Sequence, residues 1–132
     1  MLDATWVSND KFVTCGLKNY MLWEAPSKKK DMKKARNSMT NKFTACHYDP
    51  HEKVVLASTL SGELFVCRGD FKKGKELKPK GSKGYHVTGT KKKKARPIDA
   101  LYATEKYWFT GGRDRCIVIM DKKGKVQKKI NL

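Results

Sequence analysis

The sequence predicts an all-β fold of three propeller blades, either an incomplete propeller or a fragment of a larger ring. One observation is a pattern of short apolar strands and polar turns that occurs three times, at intervals of about 44 and about 53 residues, close to the ~40 to 45 residues of a propeller blade. The other is that three segments align without a gap: TCGLKNYMLWE at 14–24, STLSGELFVCR at 58–68 and GGRDRCIVIMD at 111–121.

Each aligned segment is preceded by a further apolar run, so every copy reads as strand, turn, strand, turn, strand. The paired runs are ATWVS and FVTC, FTACHYD and VVLAST, and IDALYA and YWFTGG. They are rich in the β-branched and aromatic residues that are typical of strands. We therefore predict blade 1 at 1–40, blade 2 with a lysine-rich insert at 41–96, and blade 3 at 97–132.

In a propeller the first two strands of a blade lie nearest the axis. We therefore expect most of the large residues there to be buried: Trp6, Val13, Val54, Leu56, Ile98 and Phe109.

The turn inside each aligned segment favours short polar residues. Ser61 and Asp114 occupy equivalent positions in this turn, where such side chains bond their own backbone. Gly16 and Gly112 predict either a close approach of the backbone to a neighbour or a bulge. Trp23 and Asp121 lie at the ends of the third strands of their copies. We predict structural roles within the repeat for Trp23, Ser61, Asp114 and Asp121.

These residues carry a resemblance to known repeats. The rhythm Asp-x-x-Ile-x-x-Trp-Asp resembles a WD repeat, and KFVTCGLKNYMLWE, ASTLSGELFVCRG and FTGGRDRCIVIMD resemble blades of the echinoderm microtubule-associated-protein-like family. Only the first copy keeps the tryptophan, Trp23, whereas the third keeps Asp114 and Asp121 and has Met120 in the tryptophan's place. The resemblance implies a scaffold that binds tubulin in the cytoplasm and cytoskeleton, including the ciliary or flagellar axoneme.

Length sets a limit on ring closure. The chain has 132 residues, enough for one domain, yet a propeller closes with about 4 to 8 blades. Three blades therefore belong to a longer protein, or they complete a ring with blades of another chain or with copies of themselves. We expect the first, because the sequence opens almost directly on a strand and ends on one. No apolar run approaches the ~18 residues of a membrane span, so no membrane partner is predicted.

The motifs for catalysis and for cofactors are weak. The histidines 47, 51 and 86 have no nucleophile motif beside them, and the acids form no recognisable pair. Two stretches imitate a phosphate-binding loop, GDFKKGKE at 69–76 and GYHVTGTK at 84–91, but neither is followed by the helix that the motif requires. CHYDPH at 46–51 holds half a zinc site with no second half at ligand spacing. We therefore predict no catalytic residue, no metal and no cofactor, and a protein that is not an enzyme. The cysteines 15, 46, 67 and 116 are predicted to be buried thiols.

Charge is the strongest functional signal. Lys and Arg number 30 against 13 acids, which gives a net charge of +17 and implies an anionic partner. Most of the basic residues lie in segments 28–36, 68–97 and 122–129, each after the third strand of a blade. The predicted partner-binding residues form two runs: Lys28, Lys29, Lys30, Lys33, Lys34 and Arg36, and then Lys91, Lys92, Lys93, Lys94 and Arg96.

Three kinds of partner are compatible with this charge. The acidic surface of tubulin, or another acidic protein surface, is the partner that the resemblance implies. Nucleic acid or the ribosome is the alternative, although no aromatic residues alternate with the lysines to stack bases. A general protein-interaction scaffold is the third interpretation. The stretch KKKKARP at 91–97 also matches a nuclear localisation signal, which makes the nucleus the alternative location.

Overall fold

The chain folds into β-strands grouped in sheets. The computed structural model describes residues 3–24, 33–34, 39–71 and 73–132, and within them there are fourteen strands and no helix. Among these residues, therefore, nothing has the form of a helix that could span a bilayer. Twelve strands form three antiparallel four-stranded sheets, and two form a separate hairpin.

The sheets follow one another along the chain, and each runs from its first strand to its fourth in sequence order. Blade 1 is β1 (Asp3–Trp6), β2 (Lys11–Gly16), β3 (Asn19–Glu24) and β4 (Lys33–Lys34). Blade 2 is β5 (Phe43–Asp49), β6 (Val54–Thr59), β7 (Leu64–Cys67) and β8 (Gly74–Leu77). The small hairpin is β9 (Val87–Thr88) and β10 (Lys94–Ala95), and blade 3 is β11 (Ile98–Ala103), β12 (Trp108–Gly112), β13 (Cys116–Met120) and β14 (Val126–Asn131). The predicted divisions at 40/41 and 96/97 fall in connections between sheets.

The third strands follow the ungapped alignment of the repeats, but the second strand of blade 1 is shifted by one residue against it. Phe12 pairs with Trp23 in blade 1, Val55 with Cys67 in blade 2 and Trp108 with Met120 in blade 3. Because side chains alternate between the faces of a strand, equivalent residues of the three blades point in equivalent directions. The ungapped alignment is therefore an alignment of faces for the third strands only. In the second strands the pairing makes Val13, Leu56 and Phe109 equivalent, since they face Leu22, Val66 and Ile119.

Two apolar cores hold the blades together. One lies between blades 1 and 2, where Tyr20 and Phe43 pack with their ring centroids 5.8 Å apart. The other lies between blades 2 and 3 and includes Leu56 and Trp108, both fully buried. Blade 2 thus has both faces covered, which explains why every residue of its second strand is buried. In blade 3 the second strand alternates instead, since one face only meets a neighbour.

Blades 1 and 3 each carry apolar residues on the face that points away from blade 2. In blade 3 the residues Phe109, Ile117 and Ile119 are half-buried, whereas their equivalents are buried in blade 1 (Val13, Tyr20 and Leu22) and in blade 2 (Leu56, Leu64 and Val66). In blade 1 the ring of Phe12 stacks on Trp23 at 6.1 Å and lies 5.1 Å from Trp6. We call these two surfaces the open blade faces.

Burial of the inner-strand residues follows the prediction with two exceptions. Val13, Val54, Leu56 and Ile98 are buried. Trp6 is 64% exposed and Phe109 is half-buried, because both lie on open blade faces that no described blade covers.

Candidate functional site

The second predicted basic run lies at the tip of the small hairpin, outside the three blades. Residues 91–94 are all exposed; the first three lie in the loop between β9 and β10, and the fourth begins β10. Arg96 is half-buried, and its backbone N–H donates to the carbonyl of His86 at 2.7 Å. The base of the hairpin is therefore fixed, while four ammonium groups project into solvent.

The first predicted basic run falls largely outside the described residues. Lys28, Lys29, Lys30 and Arg36 lie in 25–32 and 35–38, which are not described. The backbone of residues 33 and 34 forms β4, which pairs with Trp23 and Glu24 of β3.

The repeat-structural residues lie at turns and strand ends. Ser61 is exposed in the β6–β7 turn beside Gly62, whose φ is +81°. Trp23 is half-buried and donates its indole N–H to the hydroxyl of Thr14 at 2.9 Å. Asp121 caps the β13–β14 turn, where its Oδ1 accepts the backbone N–H groups of Lys123 and Lys125, both at 2.9 Å.

Asp114 belongs to a buried relay with a histidine. The Oδ1 of Asp114 lies 2.7 Å from Nδ1 of His86, and Nε2 of His86 lies 2.8 Å from the hydroxyl of Thr110. A carboxylate only accepts, so Nδ1 carries a proton and donates it to Asp114. Burial alone would raise the pKa of Asp114, but the hydrogen bond from His86 and the charge of Lys129 hold this pKa below its ordinary value.

This relay has the order of a hydroxyl, a base and an acid, but no substrate can reach it. His86 is fully buried, Thr110 is 1% exposed and the side chain of Asp114 is 1% exposed. A Cβ on Gly112 would lie 2.4 Å from Nδ1 of His86, which confirms the predicted close approach at this glycine. The relay therefore ties the chain before blade 3 to the β12–β13 turn. Sequence reasoning missed His86 as the partner of Asp114, because 28 residues separate them.

A second buried network joins blades 2 and 3. The carboxylate of Asp49 is fully buried; its Oδ2 accepts from the indole N–H of Trp108 at 2.7 Å and from the Nζ of Lys122 at 2.5 Å. Lys122 also donates to the carbonyl of Thr104 at 2.5 Å, and its Nζ lies 5.6 Å from the centroid of the Trp108 ring. The network holds the β13–β14 turn of blade 3 against the first turn of blade 2.

A groove lies between the outer strands of blades 2 and 3. It consists of three adjoining depressions of about 360, 560 and 370 Å³, joined through shared lining residues such as Lys123 and Lys80. Among the described residues, ten cations and no acid line it. We call it the basic groove; its cations are Arg68, Lys73, Lys75, Lys78, Lys80, Lys93, Lys122, Lys123, Lys125 and Lys129.

Few of these charges are neutralised within the chain. Lys122 pairs with Asp49, Lys129 with Asp114 at 3.4 Å, and Lys78 with Glu76 at 3.8 Å. The other seven have no acid within ion-pair distance in the part of the chain that the structure describes. Sequence reasoning identified the runs 68–97 and 122–129 as basic, but it did not show that they form opposite walls of one groove. Lys93 belongs both to the hairpin tip and to the groove, so the two form one continuous basic surface.

The motifs considered for metals and phosphates have ordinary structural settings. Gly69 lies in a turn with a φ of +69°, and Gly74 begins strand β8 where a phosphate-binding loop would require a helix. Over the described ranges, no three His, Cys, Asp or Glu side chains converge as metal ligands. The four cysteines are buried thiols, as predicted. Burial raises the pKa of Cys67 to about 11.

Comparison with known proteins supports the fold. No protein-family model matches the sequence, and neither does any curated protein. The WD40 β-propeller domain of Doa1 is similar over 99% of this chain and 40% of its own, with a TM-score of 0.72 and 13% identity. Two computationally designed proteins, Ika4 and Ika8, are similar over 98% of this chain and over 71% and 36% of their own, both with a TM-score of 0.65 and 15% identity.

These identities establish the fold alone. The chain consists of WD-type β-propeller blades and spans about 40% of the Doa1 propeller that it matches. A fold alone does not determine what a protein does, and function depends on the surfaces that the fold presents. In this chain the distinctive surface is the basic one.

Proposed function

We propose that this chain is a non-enzymatic interaction module whose basic surface binds an acidic protein surface, with tubulin in the microtubule wall as the partner. The cytoplasm and cytoskeleton, including the axoneme, are the corresponding location. The observation that carries the proposal is the continuity of the hairpin tip with the basic groove through Lys93. A concentrated field of one sign steers an oppositely charged partner and accelerates encounter.

An acidic protein is favoured over nucleic acid by the side chains on this surface. The aromatic residue that lines the groove is Tyr85, which is 5% exposed and donates its hydroxyl to the carbonyl of Gly124 at 2.7 Å. Its ring is therefore closed to the base stacking that single-stranded nucleic acid requires. Ion pairing with carboxylates needs no such ring.

The first experiment reverses the charges of the hairpin tip. Replacing residues 91–94 with Glu removes four adjacent cations from the small hairpin, which lies outside the blades, so the fold of the blades should be retained. We expect the variant to lose most of its co-sedimentation with polymerised tubulin. Binding by the parent chain should weaken steeply with salt, because exposed charges act over a Debye length of about 8 Å at physiological ionic strength.

A matched control changes the same number of charges elsewhere. It reverses four exposed lysines that line neither the hairpin tip nor the groove, namely Lys42, Lys53, Lys106 and Lys128. This control should keep most of the binding if the position of the charge matters. If the tip variant pellets with microtubules as well as the parent does, the lysines of the hairpin tip do not contribute to binding. If the chain shifts duplex DNA or RNA in a gel and does not bind microtubules, its partner is nucleic acid and not tubulin.

A further inference from the structure

We infer that the basic groove takes up an extended acidic segment of the partner, a single stretch of chain rich in Asp and Glu. The inference rests on the proposed function and adds the form of the recognised element. A folded acidic surface would meet the rim of the groove, whereas an extended chain enters it. The basis is the placement of the cations on two facing walls.

The walls come from different blades. Blade 2 supplies Arg68, Lys73 and Lys75, and the β13–β14 turn of blade 3 supplies Lys123 and Lys125. Between them the lining is apolar, with Val66, Leu77, Pro79 and Val126. An extended chain in the groove can therefore place carboxylates beside cations on both walls. The CH2 groups of its Asp and Glu side chains then contact the apolar lining between the walls.

The strand period keeps acids out of the groove. Glu76 lies between Lys75 and Leu77 in β8, and alternate side chains of a strand point to opposite faces. Lys75 and Leu77 line the groove, and Glu76 does not. The charged side chains that blade 2 contributes to the groove are thus all cations, and an acidic ligand relieves this concentration of like charge.

The turn that carries the second wall is held in place before any ligand arrives. Lys122 is bound to the buried carboxylate of Asp49, and the carbonyl of Gly124 accepts from Tyr85. Asp121 caps the same turn through the N–H groups of Lys123 and Lys125. Two ties from the rest of the chain and one within the turn therefore fix the separation of the walls, which lowers the ordering cost of binding.

The probe is a fluorescent poly-L-glutamate peptide, titrated with the full chain and read by anisotropy. The test variant is Lys75→Glu with Lys123→Glu, which reverses one cation on each wall, and the control is Lys106→Glu with Lys128→Glu. Both change the net charge equally. We expect the wall variant to raise the Kd at least about tenfold, which corresponds to about 1.4 kcal/mol, and the control to change it less than about threefold.

The outcomes separate this inference from the proposed function. Binding of microtubules without binding of poly-glutamate overturns the inference and leaves the proposed function standing. Equal losses in the wall variant and the control overturn the inference as well, because binding would then follow net charge. Failure to bind either probe overturns both. Displacement of poly-glutamate by single-stranded RNA at lower concentration than by unlabelled poly-glutamate identifies a nucleic-acid groove instead.

Discussion

Removing Lys122 from the network between blades 2 and 3 is the most informative test of how the blades are held together. Lys122→Met keeps the aliphatic stem and removes the charge, so the fully buried carboxylate of Asp49 loses its cation. Breaking a buried pair on one side costs about 3 to 5 kcal/mol. We expect about 3 kcal/mol here, because N–H groups of Trp108, His51 and Glu52 still bind the carboxylate.

The measurement is urea unfolding of parent and variant at equal protein concentration. Lys123→Met is the control, since it removes the neighbouring exposed ammonium and should alter the free energy of unfolding by less than about 0.5 kcal/mol. A loss below about 1 kcal/mol in Lys122→Met would refute the reasoning. It would mean that the carboxylate is satisfied without the lysine.

Acid unfolding is an independent test of the contribution of the same network to stability. Burial alone would raise the pKa of Asp49, but hydrogen bonds from Lys122, Trp108 and the backbone hold this pKa below its ordinary value. The stability that it contributes is therefore complete above the unfolded pKa of about 3.9 and is lost as the pH falls through the lower folded value. In Lys122→Met the pKa of Asp49 should rise, so acid unfolding should begin at a higher pH than in the parent.

Three further predictions concern packing and association. Gly112→Ala should destabilise the fold by about 1 to 3 kcal/mol, because its Cβ would lie 2.4 Å from the buried His86 ring; Gly111→Ala, whose Cβ would meet its neighbour at 3.4 Å, should be tolerated. The chain should self-associate at micromolar concentration through the open blade faces, and Ile119→Lys should reduce this association in sedimentation velocity while Gln127→Lys does not. Cys67 should react with iodoacetamide only after unfolding, and rapid alkylation of the native chain would show that the core between blades 1 and 2 opens.

The repeat and the faces of its third strands could be predicted from the sequence, because the alternation in strands and the polar turns are local signals. The one-residue shift of the second strand in blade 1 could not, because an alignment without a gap does not show where the turn between the strands is shorter. Equivalent positions such as Tyr20, Leu64 and Ile117 do share a direction in the structure. Exposure could not be predicted in the same way. Trp6 and Phe109 have sequence settings like those of buried residues, and only the neighbouring blade decides whether a face is covered.

The site could be predicted only in part. The exposed hairpin tip followed from a run of four lysines, which is a local pattern. The groove requires Lys75 and Lys123 to lie on facing walls, although they are far apart in sequence and belong to different blades. The pairs of His86 with Asp114 and of Asp49 with Lys122 are long-range in the same way. A single sequence has no local pattern that links residues so far apart.

Hydrogen–deuterium exchange of the chain with and without polymerised tubulin tests the central claim most directly. The claim predicts slower exchange at backbone amides of the groove and hairpin, in residues 73–80, 89–95 and 122–129, with unchanged exchange in β1. The protection should disappear when salt is raised, since the contact is electrostatic. Protection confined to the open blade faces, or no protection at a tubulin concentration that pellets the chain, would contradict the assignment of the basic surface as the binding site.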